Sequence, residues 1–203
     1  MVDLGKPWRD LAQGIQNIRE YEQIAGFWKI ARRAFANNSF DGVLTTVGLL
    51  TGSYVAGVRS ASVVVRTGIA TSIAMGVSGL WGSYLAESAE RGRELAELER
   101  LSLTDLGDTK IARASRAAVV VVSIVDGLSP FLSSIIVLIP MLFAPAIDNI
   151  IVSYLLSTAL ALLALLGLGM FLGHISGESL VRYGMRTVVA GIVSIGLSLL
   201  LGA

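Results

Sequence analysis

"NNSFDGVLTTVGLLTGSYVAG" (residues 37–57) sets Asp41 at the mouth of an otherwise uncharged apolar run. "VVVVSIVDGLSPFLSSIIVLIPML" (119–142) repeats the device with Asp126, again followed by glycine. Around them lies a chain of 203 residues, 54% hydrophobic and 15% charged, with a mean hydropathy of +0.71. A soluble domain carries nearer ~25% charged residues, so the apolar runs read as membrane helices. The formal charge of +1 gives no case for nucleic acid. With no cysteine, disulfides, thiolate metal sites and thiol catalysis are excluded.

Five stretches are long enough to cross a bilayer, which takes roughly 20 apolar residues per helix: 41–58, 62–86, 119–145, 150–172 and 185–202. The third carries Pro130 and Pro140, which predicts a kinked or broken helix. Basic residues collect in 1–40, 87–116 and 173–186, whereas the turns near 58–61 and 144–149 hold only Arg59. Positive charge stays on the cytosolic side, so the N-terminus is expected inside and the C-terminus on the opposite side. The opening residues lack the apolar core of a signal peptide and are expected to stay attached.

The expected fold is therefore all-α: a polytopic membrane protein of five transmembrane helices. An amphipathic inner-surface helix fills 1–40, with Leu11, Ile15, Ile18, Ile24, Phe27 and Trp28 on its apolar face. Helices 1–2 take 41–86, a short cytosolic helical insert 87–118, and helices 3–5 occupy 119–203. A parallel internal repeat also shows. "KIAR" occurs at 29–32 and 110–113, ahead of each Asp-Gly, and "GSYLAESAER" (82–91) matches "GHISGESLVR" (173–182). Parallel repeats are a transporter device, with sites at the repeat interface.

An acid in the hydrocarbon is costly and marks a cavity, an ion path or a proton path. Asp41 and Asp126 are the candidates, and the competing role for each is a helix cap or first-turn acid.

The residues resemble the vacuolar iron transporter family. The opening span of that family begins "DG-x-x-T-x-x-G-x-x-x-G", which here is Asp41, Gly42, Thr45, Gly48 and Gly52. Its small-residue second span runs into a Glu-rich helix, as in "SIAMGVSGLWGSYLAESAERGRELAELE" (72–99), and its last span is Gly-rich, as in "YGMRTVVAGIVSIGLSLLLG" (183–202). The resemblance implies export of divalent iron or manganese from the cytosol in exchange for protons, by a homodimer whose first span lines the path. It implies Asp41 in that path and metal collection by Glu residues beyond the second span. Where the family has Glu in "G-E-Y", this chain has Ser83, and Gly79 stands at the family's metal-binding Met. Met75, one turn back, is a displaced soft ligand, and Asp126 a substitute carboxylate.

Glu87, Glu90, Glu94 and Glu97 fall on one stripe of a helix. Carboxylate clusters suit hard or borderline cations, though Glu87–Arg91 also matches an ordinary helical ion pair. The expected transport path is Asp41, Met75, Ser83 and Asp126, and the expected metal ligands are Asp41, Met75, Glu87, Glu90, Glu94 and Asp126. Proton-relay candidates are Asp41, Asp126, the single histidine His174, and Glu178. No tightly bound cofactor is expected: Fe2+ or Mn2+ is substrate, the bilayer the setting, a second copy the partner. Catalysis has no visible nucleophile–base pair. Two alternatives stay open: a carrier or channel for another solute, with Asp41 and Asp126 as proton relay, and a non-transporting scaffold.

Overall fold

The structure is a computed structural model describing residues 18–147 and 149–202. It is helical, with no strand among the described residues. A helical segment over 18–25 (α1) ends at Gly26, whose φ of 60° is a left-handed value that glycine adopts without strain. Then follow α2 (Phe27–Val55), α3 (Ala61–Ser102), α4 (Lys110–Leu142), a 3-10 turn (Ala144–Ala146), α5 (Ile150–Ser176) and α6 (Leu180–Gly202).

Side-chain pairs fix the directions. Asn38 meets Asp126, and Gly42 backs onto Pro130, so α2 and α4 run parallel. Gly68 meets Leu138 while Gly79 meets Asp126, so α3 is antiparallel to α4. Phe35 stacks edge-on against Phe171 and Tyr54 against Tyr154, which makes α5 antiparallel to α2. Gly173 lies against Leu180 and Gly191 against Leu165, so α6 turns back along α5.

The main core joins Val43, Val47 and Leu50 of α2 to Val64 of α3, Val137, Leu138 and Met141 of α4, and Tyr154, Ala161 and Leu165 of α5. A smaller one joins Phe27 and Ala31 to Ala118 and Val122. Outside these cores the helices display bare hydrocarbon: Val63 and Val77 on α3, Leu155 and Leu163 on α5, Val193 and Leu200 on α6 are all exposed. Apolar surface on this scale belongs in lipid. Four helices are long and apolar enough to cross a bilayer: α3, α4 with its 3-10 turn, α5 and α6. The protein is an all-helical, multi-pass membrane protein.

α2 is not among those four. Its position accounts for the polarity. It packs against α4, α5 and α6, and its covered side carries the small or polar residues Gly42, Thr46 and Thr51 among its apolar ones. A helix covered by other helices gains from small residues that allow close approach, not from lipid-facing bulk.

Two features differ from the sequence expectation. The division at 40/41 falls inside α2, because nothing after Gly26 breaks the helix; the inner-surface stretch from Phe27 onward and the Asp-Gly run are one element. Leu11 and Ile15 lie outside the described residues. α4, moreover, is unbroken through Pro130 and Pro140. Proline removes one N–H and disturbs the turn before it, and around Pro130 two serine hydroxyls bond back to carbonyls of the same helix. Ser129 Oγ donates to the Val125 carbonyl, and Ser133 Oγ donates to the Pro130 carbonyl at 3.1 Å.

Candidate functional site

Neither aspartate is a cap. α2 begins at Phe27 behind Gly26 and has no acid in its first turn, so Asp41 lies about four turns inside it. Asp126 is likewise well inside α4, whose N-cap is Thr109. The cap alternative fails for both.

The two acids face different surroundings. Asp41, Thr45, Gly48 and Gly52 repeat at helical spacing along one face of α2. Asp41, Thr45 and Gly52 are exposed, and a Cβ added at Gly48 or Gly52 would meet nothing within 4 Å. Beyond Asp41 this face borders an open groove of about 440 Å3 between α2 and α6, lined by Gly48, Gly52, Val55, Ala56, Ser198 and Leu201. The opposite face of α2, with Gly42, Val43, Thr46 and Val47, is buried. Asp41 therefore projects from the side of α2 that the described residues leave open.

Asp126 is half-buried and turned inward. Its Oδ1 accepts a hydrogen bond from Asn38 Nδ2 at 2.6 Å, and the same amide donates to the Ala34 carbonyl at 2.9 Å. α3 crosses α4 at the same level with almost no separation. A Cβ on Gly79 would stand 2.8 Å from the Asp126 carbonyl oxygen, and one on Gly127 would stand 2.6 Å from Leu80 Cβ. Gly79 is thus a packing glycine, and a methionine there cannot fit without moving a backbone. Met75 and Ser83, one turn to either side of Gly79, are half-buried.

The Glu stripe on α3 is organised around a cation. Arg91 Nε lies 3.5 Å from Glu87 and Arg91 Nη1 3.8 Å from Glu94; Nη1 also donates to the Ala25 carbonyl at 3.3 Å. Arg91 thereby ties the C-terminal part of α3 to α1, while Glu90 is exposed. Glu178 pairs with Arg182 at 3.9 Å in an exposed position, and His174 is exposed in the last turn of α5. Among the described residues no three His, Asp or Glu side chains converge as a metal-binding group. Asn38 escaped the sequence reading. Its only signal is a polar residue one turn before Asp41, and the partner lies 88 residues away.

The VIT family profile matches residues 102–203, just over half of the 203 residues. The chain belongs to the VIT family. VIT-family proteins are membrane metal-ion transporters, not enzymes. The matched region takes in α4, α5 and α6, so Asp126, His174 and Glu178 lie within it and Asp41 outside. An uncharacterized protein of Methanocaldococcus jannaschii is 26% identical to this VIT-family chain over 168 residues, covering 81% of the chain and 84% of that protein. No solved structure matches it.

Proposed function

We propose that this protein exports divalent iron or manganese from the cytosol in exchange for protons, as a homodimer, with Asp41 in the path. One observation carries the proposal: Asp41 projects from the middle of α2 on a polar, small-residue face that is open at Asp41 and Thr45 among the described residues. A carboxylate facing lipid is costly, so a second copy facing it across a polar path is the economical arrangement. α2 is then the fifth span, since it lies beside α4 from Asn38–Asp126 through Gly42–Pro130 into the shared core. The basic residues at 1–40, 87–116 and 173–186 put the N-terminus in the cytosol and the C-terminus opposite.

Metal meets Glu90 first, together with Glu87 and Glu94, which it gains only by displacing Arg91. It passes to Asp41, and Met75 and Ser83 of α3 serve the path as further ligands. Asp126 enters as metal ligand or proton carrier only by releasing Asn38, and His174 and Glu178 relay protons at the inner surface. Carboxylates hold metal in the ionised form, so protonation from outside discharges it. The decisive test is Fe2+ and Mn2+ uptake into inverted vesicles with and without an imposed pH gradient. Wild type should accumulate metal as protons leave, and Asp41→Ala should abolish the exchange while still inserting. Uptake indifferent to the gradient, or undiminished in Asp41→Ala, defeats the proposal.

A further inference from the structure

The seam where α3 meets α4 carries a feature that metal transport does not use. At its inner end is an open chamber of about 300 Å3 bounded by Ser88, Arg91 and Gly92 of α3 and Ser115, Arg116 and Val119 of α4. Two guanidinium groups line it and no carboxylate does. Glu87 and Glu94 hold Arg91 from the side, so Arg116 is the freer cation: it is exposed, and its bonds to the Gly107 carbonyl are long, at 3.4 and 3.5 Å. Gly92 adds room, for a Cβ there would touch nothing within 4 Å.

Further along the same seam lies a second open furrow of about 250 Å3, walled by Ile73, Val77, Leu80 and Trp81 of α3 and Leu128 and Phe131 of α4. Its wall is hydrocarbon and aromatic ring. Between furrow and chamber stand Trp81 and Tyr84, both exposed, their rings 6.2 Å apart. Such aromatics settle at the level of lipid headgroups. From Tyr84 to Ile73 the helix rises about 16 Å, close to the depth of hydrocarbon in one leaflet of a core roughly 30 Å thick.

We propose that this seam binds one anionic phospholipid. The phosphate sits in the chamber with Arg116 and Arg91, helped by Ser88 and Ser115, and one acyl chain lies in the furrow along Val77, Leu80 and Leu128. A cation at the headgroup level, an aromatic pair at the interface and a groove one leaflet deep occur here in the order in which a phospholipid presents its parts. A metal ion does not match two guanidinium groups, and a free phosphate leaves the furrow unused.

The test uses the purified full chain in mild detergent, with thermal unfolding and native mass spectrometry as readouts. Dioleoyl phosphatidylglycerol, dioleoyl phosphatidylcholine and inorganic phosphate are titrated separately. Phosphatidylglycerol should raise the unfolding temperature and remain bound, one per chain, at concentrations where the other two do neither. Arg116→Gln should weaken its binding about fivefold, the usual value of one basic residue at an anionic headgroup. Gly92→Leu, whose Cβ meets no neighbour and whose side chain occupies the chamber, should reduce it further while the unliganded protein unfolds at or above the wild-type temperature. Equal binding of both lipids overturns the proposal, as does stabilisation by phosphate alone or wild-type affinity in both variants.

Discussion

The C-terminal parts of α3 and α5 begin from matching sequence and end differently. In α3, "GSYLAESAER" (82–91) is helical throughout, and the helix continues to Ser102. In α5, "GHISGESLVR" (173–182) stops at Gly177, whose φ of 68° turns the chain; Glu178 N–H then closes on the Gly173 carbonyl at 3.0 Å, and α6 starts at Leu180. The aligned residue in α3 is Ala86. Glycine takes the left-handed conformation freely, whereas alanine favours helix. One side chain thus separates a tight hairpin from a projecting helix. The same pair of ions, Glu87–Arg91 and Glu178–Arg182, forms on both, but Arg91 is 13% exposed and Arg182 65%. Only the projecting copy has neighbours to tie.

The sharpest way to break this comparison is at the two Asp-Gly glycines, which support the halves differently. Gly42 presses α2 onto α4, where a methyl group would stand 2.7 Å from the Pro130 Cα; Gly127 presses α4 onto α3. Gly42→Ala and Gly127→Ala should each cost about 1–3 kcal/mol or more, since backbone must move, and Gly79→Met should cost at least as much. Loss of folded protein on detergent size-exclusion chromatography measures this. A Gly79→Met variant that stays folded and binds metal would show that the α3–α4 crossing can open.

A middling effect is expected at the ion pairs. Arg91→Ala removes a bond to Ala25 and two carboxylate contacts from a nearly buried position, worth about 1–2 kcal/mol. Arg182→Ala loses an exposed pair, worth roughly 0–0.5 kcal/mol. Equal unfolding temperatures for the two variants would remove the distinction between the halves.

A small effect is also expected of Ala86→Gly, about 1 kcal/mol or less, because glycine only weakens a helix that Arg91 already anchors. Ala86→Gly combined with Arg91→Ala should lose more than the sum of the two single losses, and protease cleavage between α3 and α4 should rise. Strict additivity would mean that the anchor does not hold the projecting helix.

α3, α4, α5 and α6 were legible because hydrophobic length is a local property, and lipid-facing helices must display it. α2 was harder to delimit. Its sequence changes character at Asp41, yet charge alone does not end a helix, and Gly26 is the stop that matters. The candidate site was legible as types of residue, not as partners. Asp41 could be picked out by its neighbours in sequence, but Asn38 holding Asp126 is a contact across 88 residues. The role of Gly79 was hidden for the same reason: a glycine at a helix crossing and one at a vacant ligand position read alike until the facing backbone is seen.

The polarity of α2 has a consequence for biogenesis. On the five-span reading, the first membrane helix to leave the ribosome is the least hydrophobic of the five and presents Thr46, Thr51 and three glycines to its surroundings. Its closest cover, α4, is made only after α3 and the turn that follows. α2 should therefore settle late, held near the insertion machinery until α4 arrives beside it. Nascent chains stopped after Ser102 should leave α2 extractable or accessible to aqueous labelling, and chains reaching Ala146 should protect it. Protection already complete at Ser102 would mean that α2 partitions into the bilayer on its own.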